Sequence, residues 1–270
     1  MAARKAPSLL QRSTYPSDRS SFSILSYIAG NHLSSGEGLS NPFRKILNNC
    51  ANFRLFSSDC ILCGAVAEKW NLCAGCFADL PRLPKDRCRI CANPGAEICG
   101  VCIHHPPAYS GTLALFSYDF PVDALVRALK YRENLAIAST FANLLAEASA
   151  SVNRPDLLLP VPMHPLRLAE RGFNQAQEIA RLVSRKTGIP LGHAEKVRDT
   201  PSQTSLPWEE RRKNVKGAFS CAMDLESKHV AIVDDVLTTG ATLDELARVL
   251  RARNASEVSA WVIARAVKSV

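Results

Sequence analysis

The segment between residues 60 and 102 limits the possible folds more than any other part of this 270-residue chain. Four Cys-x-x-Cys pairs crowd into it: Cys60/Cys63, Cys73/Cys76, Cys88/Cys91 and Cys99/Cys102. A disulfide framework seldom repeats one short spacing, whereas thiolates so spaced converge on a tetrahedral metal. The segment is too poor in aliphatic residues to fold around an apolar core of its own. Two zinc sites follow, read consecutively as Cys60/Cys63/Cys73/Cys76 and Cys88/Cys91/Cys99/Cys102. A crossed arrangement, first pair with third, satisfies the same spacing and stays open. Closed four-thiolate sites leave no position for water, so their role is structural. His104 and His105 are substitute ligands only where a cysteine goes unused. Of the ten cysteines, Cys50 and Cys221 lack partners in this pattern and read as small apolar residues.

No secretory start with a basic, apolar and small-residue order is visible, so a reducing, cytoplasmic compartment is expected. No apolar run reaches the roughly 18 residues that would suggest a membrane span. With 47% apolar and 21% charged residues, the chain has the composition of an ordinary globular protein with ample core. Its 33 basic against 25 acidic residues suit phosphate-bearing ligands or nucleic acid without identifying either.

Residues 1–42 are Ser-rich and carry Arg4, Lys5, Arg12 and Arg19 without periodicity. They read as a disordered extension, an organellar leader or the product of a start codon placed too early. Residues 43–106 are expected to hold a short lead-in (Phe43 to Phe56) and the cysteine region, and 107–270 a larger domain. "GTLALFSYDF" (111–120) alternates like a strand pair, while 121–132 and 135–148 carry helical periodicity. "DLLLPVPMH" (156–164) is a short apolar strand broken by prolines, and the peptide bond before Pro162 is a candidate for cis. Residues 174–188 read as a helix closed by Gly188. "HVAIVDD" (229–235), 241–254 and 258–265 follow as strand, helix and strand. Strands alternating with helices of this length imply a parallel sheet covered on both faces.

Ligands of open parallel sheets bind beyond the carboxyl ends of the strands. Asp234 and Asp235 lie at such an end in "HVAIVDDVLTTGATLDEL" (229–246). Two buried carboxylates repel one another, so the pair is expected to face water, a cation or a hydroxyl-rich ligand. A sugar diol fits, because ionised carboxylates only accept hydrogen bonds and a diol offers two donors. Behind the acids, Thr238, Thr239, Gly240, Ala241 and Thr242 enter a helix whose free N–H groups and hydroxyls make an anion cradle. A carboxylate pair against a phosphate cradle suits a ribose 5′-phosphate. The absence of a Lys-Ser/Thr ending excludes a P-loop.

"VAIVDDVLTTGAT" resembles the phosphoribosyl-diphosphate (PRPP) binding motif of type I phosphoribosyltransferases. Together with "LPVPMHPLRLAERGFNQAQEIA" (159–180), "TPSQTSLPWEERRKNVKGAF" (200–219) and the four cysteine pairs, it resembles the ComF/GntX family of bacterial competence-associated proteins. The resemblance implies an α/β phosphoribosyltransferase-like domain with helices on both faces, preceded by a double zinc ribbon. It implies that Asp234 and Asp235 are the catalytic acids and hold the ribose hydroxyls with Mg²⁺, and that Thr238 to Thr242 hold the 5′-phosphate. His164, Arg167, Arg171 and Arg211 would serve the pyrophosphate, Arg211 from a mobile loop over 200–219. It further implies a role in DNA uptake with the uptake machinery. The other readings are an active phosphoribosyltransferase with an unidentified acceptor and a zinc-ribbon nucleic-acid binder with a vestigial second domain. Twelve Arg/Lys against seven Asp/Glu in 151–220 suit single-stranded DNA, and Trp70, Phe77 and Trp208 are candidate stacking faces.

Overall fold

The computed structural model describes residues 59–132, 134–200 and 214–267. The expected N-terminal extension and lead-in, Cys50, Trp208 and Arg211 lie outside the described residues. Residues Phe56–Val270 form one compact unit.

Six strands are described: β1 (Gly111–Ser117), β2 (Leu157–Pro160), β3 (Glu195–Lys196), β4 (Phe219–Ser220), β5 (His229–Leu237) and β6 (Glu257–Arg265). Four make a sheet of order β1-β6-β5-β2 in which every neighbouring pair runs parallel. β3 and β4 form a short antiparallel pair at the base of the 201–213 segment. The helices are α1 (Ala74–Ala78), α2 (Gly100–His104), α3 (Val122–Arg132), α4 (Leu135–Ser149), α5 (Pro165–Arg171), α6 (Gln175–Thr187) and α7 (Ala241–Arg251).

Helix limits follow local chemistry. The Asn134 side chain accepts from the N–H of Ala136 at the start of α4, and Asn174 caps α6 at Ala176 and Gln177. Gly188 closes α6 at φ 69°, donating to Ser184 O as expected. Pro165 opens α5, where its missing N–H costs nothing.

The period of two along β5 and β6 builds two cores. Ala231, Val233, Trp261 and Ile263 meet α3, α4 and α6 on one face, with Phe116 and Phe141. Val230, Ile232, Val258, Ala260 and Val262 meet α7 on the other. The expected parallel sheet with two covered faces is the observed fold.

Two local expectations are corrected. The 111–120 stretch is a single strand, because β6 supplies its ladder in parallel and no hairpin partner is needed. The cis bond among the described residues is Phe120–Pro121, so the bond before Pro162 is trans. Val161 N–H still donates to Val233 O, so the chain leaves β2 extended and needs no tight turn there.

Candidate functional site

Alternation on β5 separates the two acids that the sequence sets side by side. Asp235 follows Ala231 and Val233 toward α3, where Lys130 Nζ meets its Oδ2 at 2.8 Å. Asp234 points the other way and accepts the Asp235 N–H on its own carboxylate at 2.9 Å. Burial, then the neighbouring Asp235 charge, pushes the Asp234 carboxyl up to about 7. Burial alone would pull the Lys130 ammonium down, but Asp235 outweighs it and holds Lys130 above the usual lysine value. The acids are therefore a strained charge pair with one internal counter-cation.

That strain has a measurable sign. A carboxyl with a raised folded pKa binds its proton more tightly when folded, so stability falls as pH rises from about 4 toward about 7. Asp234→Asn keeps the acceptor oxygen and removes the charge. The variant should melt close to the parent near pH 4 and at a higher temperature than the parent at pH 8. A thermal scan at the two pH values checks this, and equal melting points at pH 8 would refute it.

The chain continues from the acids into Thr238, Thr239, Gly240, Ala241 and Thr242 at the N-terminus of α7. Gly240 sits at φ 82°, in the left-handed region, and a Cβ there would lie 2.9 Å from the Tyr109 hydroxyl. Thr239 Oγ1 accepts from Ala241 N at 3.4 Å. Arg265, at the end of β6, donates to the carbonyls of Leu237, Thr238 and Ala266 and so pins the loop from one side. Thr238, Thr239, Gly240 and Ala241 face a cavity of about 730 Å³, shared with Tyr109, Arg265 and Cys91, Cys99 and Cys102.

On the α3 side of the acids a second cavity of about 280 Å³ is lined by Lys130, Tyr131, Arg167, Glu170 and Arg171. Arg171 donates to Gln175 Oε1 at 3.1 Å and lies 5.6 Å from the Tyr131 ring. Arg167 donates to Thr200 O at 3.2 Å, with Asp199 at 3.5 Å. His164 is not brought into this cavity. It is the N-cap of α5, its Nδ1 accepting the Leu166 N–H at 3.4 Å. The base of the 200–219 segment is tied down by Arg198 to the carbonyls of Asn214 and Lys216 and by Lys196 to Thr200.

The eight cysteines gather as two consecutive groups, Cys60/Cys63/Cys73/Cys76 and Cys88/Cys91/Cys99/Cys102, within 4.8 Å in each group. The crossed arrangement is excluded, and neither His104 nor His105 joins a group among the described residues. Cys63 and Cys73 sulfurs lie 3.7 Å apart and Cys91 and Cys99 3.6 Å apart. Tetrahedral Zn–S bonds of about 2.3 Å require sulfurs about 3.8 Å apart, far longer than a disulfide, so the donor sets fit zinc. Burial would push Cys60 up, yet backbone N–H groups of Cys73, Leu62 and Cys63 bring it down to about 6. Cys76 is driven the opposite way by Cys63, Cys73 and burial. Four such thiols cannot all ionise without a central cation. Cys221 is buried beside His193 O, an ordinary core residue as expected.

Three contributors escaped the sequence reading. Lys130 gave no signal, being one lysine on an amphipathic helix. Gln175 is buried with no partner for its Nε2, which only packing reveals. Tyr109 sits in a linker and meets Gly240 only in three dimensions.

A family model described as "Phosphoribosyl transferase domain" matches residues 130–269. The chain is 32% identical over 237 residues to "Competence protein F" of Haemophilus influenzae, covering 81% of this chain and 99% of that protein. It is 30% identical to "DNA utilization protein YhgH" of Escherichia coli K12, covering 73% and 91%. Identity to "Competence protein ComFC" of Bacillus subtilis is 25%, covering 72% and 84%.

Proposed function

The chain belongs to the ComF/YhgH family with a phosphoribosyltransferase domain, and from that premise we propose that it binds PRPP with Mg²⁺ and acts in DNA uptake. The observation that carries the ligand is the placement of acids, threonine loop and cationic cavity along one end of β5. Asp234 and Asp235 accept from the ribose hydroxyls, and residues 238 to 242 receive the 5′-phosphate at the start of α7. Lys130, Arg167 and Arg171 meet the pyrophosphate, with Arg211 as a further cation. Ligand binding exchanges the Lys130–Asp235 pair for contacts with the sugar and pyrophosphate.

The carboxylate oxygens suit Mg²⁺, and Lys130 at 2.8 Å marks a place where positive charge is held beside Asp235. Bound with the ligand, that ion would neutralise charge on the departing pyrophosphate. Transfer of the ribose needs no covalent nucleophile from the protein. As the bond from ribose carbon 1 to pyrophosphate breaks, the residues above position the sugar and stabilise the leaving group. Titration calorimetry with PRPP and Mg²⁺ should show saturable binding, and absence of heat with folded protein would sink the reading. A pyrophosphate-release assay across nucleobase and amine acceptors then tests the alternative of an active transferase of nucleotide or related metabolism.

The DNA role draws on the relatives' names, "competence" and "DNA utilization", and on the basic 151–220 stretch. Trp70 and Phe77 pack edge to face, 5.9 Å apart, with Lys69 over the Trp70 ring at 3.7 Å and Arg82 over the Phe77 ring at 4.9 Å, so a base that stacks there would have to displace those cations. No described helix is long and apolar enough to cross a membrane. Single-strand affinity should fall steeply with salt and respond to PRPP, since both ligands want the same cationic loops. No binding at low salt would remove the DNA arm and leave the transferase reading alone.

A further inference from the structure

The two four-cysteine groups occupy different mechanical positions. The first packs on α4: Asn71 donates to Thr140 Oγ1 at 3.2 Å, Thr140 donates to Trp70 O, and Lys69 pairs with Glu147. None of these contacts reaches the threonine loop. The second group flanks a short strap, residues 107–110, that crosses the loop. The strap is also tied to β6, where Ser110 donates its N–H to Val258 O at 2.8 Å and its hydroxyl to Glu257 at 2.9 Å, and to α7, where Arg251 donates to Ala108 O at 3.4 Å. Cys102 lies in α2, which ends at His104, three residues before the strap. Immediately after it, Thr112 donates its N–H to Arg89 O and its hydroxyl to Ile90 O, two carbonyls inside the Cys88–Cys91 turn. Between these anchors Ala108 N–H donates to Asp244 Oδ1 in the first turn of α7 at 2.8 Å. Tyr109 is 4% exposed and brings its hydroxyl against Gly240.

We infer that the second four-cysteine group positions the threonine loop through Tyr109 and the 107–110 strap, so that ligand affinity depends on that group and not on the first. The loop has few other ties. Its glycine lies in the left-handed region, where backbone is easily redirected, and its carbonyls are held by Arg265 alone among side chains of the described residues. A strap flanked by a closed four-cysteine group and tied to β6 and α7 is rigid, and a rigid wall behind a flexible cradle reduces the ordering that binding must supply. Tyr109 is a positioning residue: its hydroxyl limits where Gly240 can go. The affinity arm rests on the PRPP reading, whereas the loop's rigidity does not.

The test compares Cys99→Ser with Cys63→Ser in the full chain, each checked for retained zinc and a cooperative melt. Amide hydrogen exchange of residues 238–242 should accelerate about tenfold or more in Cys99→Ser and change less than about threefold in Cys63→Ser. PRPP affinity, read by calorimetry, should fall in the same order. Because either cysteine variant can lose its fold, Gly240→Ala and Tyr109→Phe supply an independent cycle. Gly240→Ala meets the Tyr109 hydroxyl at 2.9 Å, and removing that oxygen leaves Leu237 Cδ1 at 3.5 Å as the nearest neighbour. The double variant should therefore exchange more slowly than Gly240→Ala by about threefold or more, the sign of direct coupling. Equal exchange in the two cysteine variants, or strictly additive effects in the cycle, would overturn the inference. A parent that does not bind PRPP, yet shows the exchange pattern, would overturn the proposed function and uphold this one.

Discussion

Protein purified without added zinc should carry close to two equivalents of the metal, one for each four-cysteine group. Stripping it should unfold the cysteine segment rather than merely loosen it. Apparent binding energies of structural zinc are about 10–16 kcal/mol per site, comparable with or larger than the roughly 5–15 kcal/mol stability of a whole domain. The segment has little to fall back on. Its second group is surrounded mainly by its own cysteines with Ile90 and Ile98. Loss should also spread, because Cys60, Leu72 and Leu80 are part of the same core as Phe116, Phe141 and Trp261. Chelator-induced melting followed by circular dichroism, with released metal counted by a chromogenic chelator, measures both effects. Metal-free protein holding four disulfides would reverse the assignment.

The second large effect is expected at the acids. Asp235→Asn should weaken PRPP binding by about 10- to 150-fold, the loss of one charge-assisted hydrogen bond of roughly 1.5–3 kcal/mol. Asp234→Asn should weaken it less. The asymmetry has a structural source: Asp235 is 6% exposed and paired with Lys130 beside the cationic cavity, while Asp234 already spends an oxygen on the Asp235 N–H. Asn at 235 also frees Lys130, so part of the lost affinity returns through pyrophosphate contacts, and the effect stays below that of deleting the site. Both variants should remain folded, with a cooperative melt. Unchanged affinity in both would mean that the acids do not face the sugar.

Much of this molecule is legible without coordinates because the relevant physics is local. Four Cys-x-x-Cys pairs declare their chemistry through spacing, since a thiolate pair at that separation has few other uses. "HVAIVDDVLTTGATLDEL" names a strand, an acidic pair and a helix start in a single run, and the strand and the helix start are found there, although β5 runs past the acids to Leu237 and only the structure shows Gly240 in the left-handed region. Gly188 and Asn174 mark the ends of α6 for equally local reasons. The errors also have local causes. The alternation of 111–120 is compatible with a hairpin or with one strand, and only the presence of β6 decides. The prolines near 162 allow a cis bond, and only the continued β2–β5 register shows that none is needed.

What tertiary structure alone decided is which groups act on which. Two adjacent aspartates look like a pair in one dimension, yet the pleat sends them to opposite faces, because successive side chains on a strand alternate. Lys130 becomes the partner of Asp235 by the packing of α3 on the sheet, a contact across more than a hundred residues that no spacing announces. The grouping of cysteines into consecutive rather than crossed sets depended on where the backbone turns, since both sets satisfy the same short spacing. Tyr109 meets Gly240 because a linker held by the second cysteine group is laid across α7. Sequence specifies chemistry wherever the reacting groups are near neighbours along the chain, and the fold specifies it wherever the contact must wait for distant segments to pack.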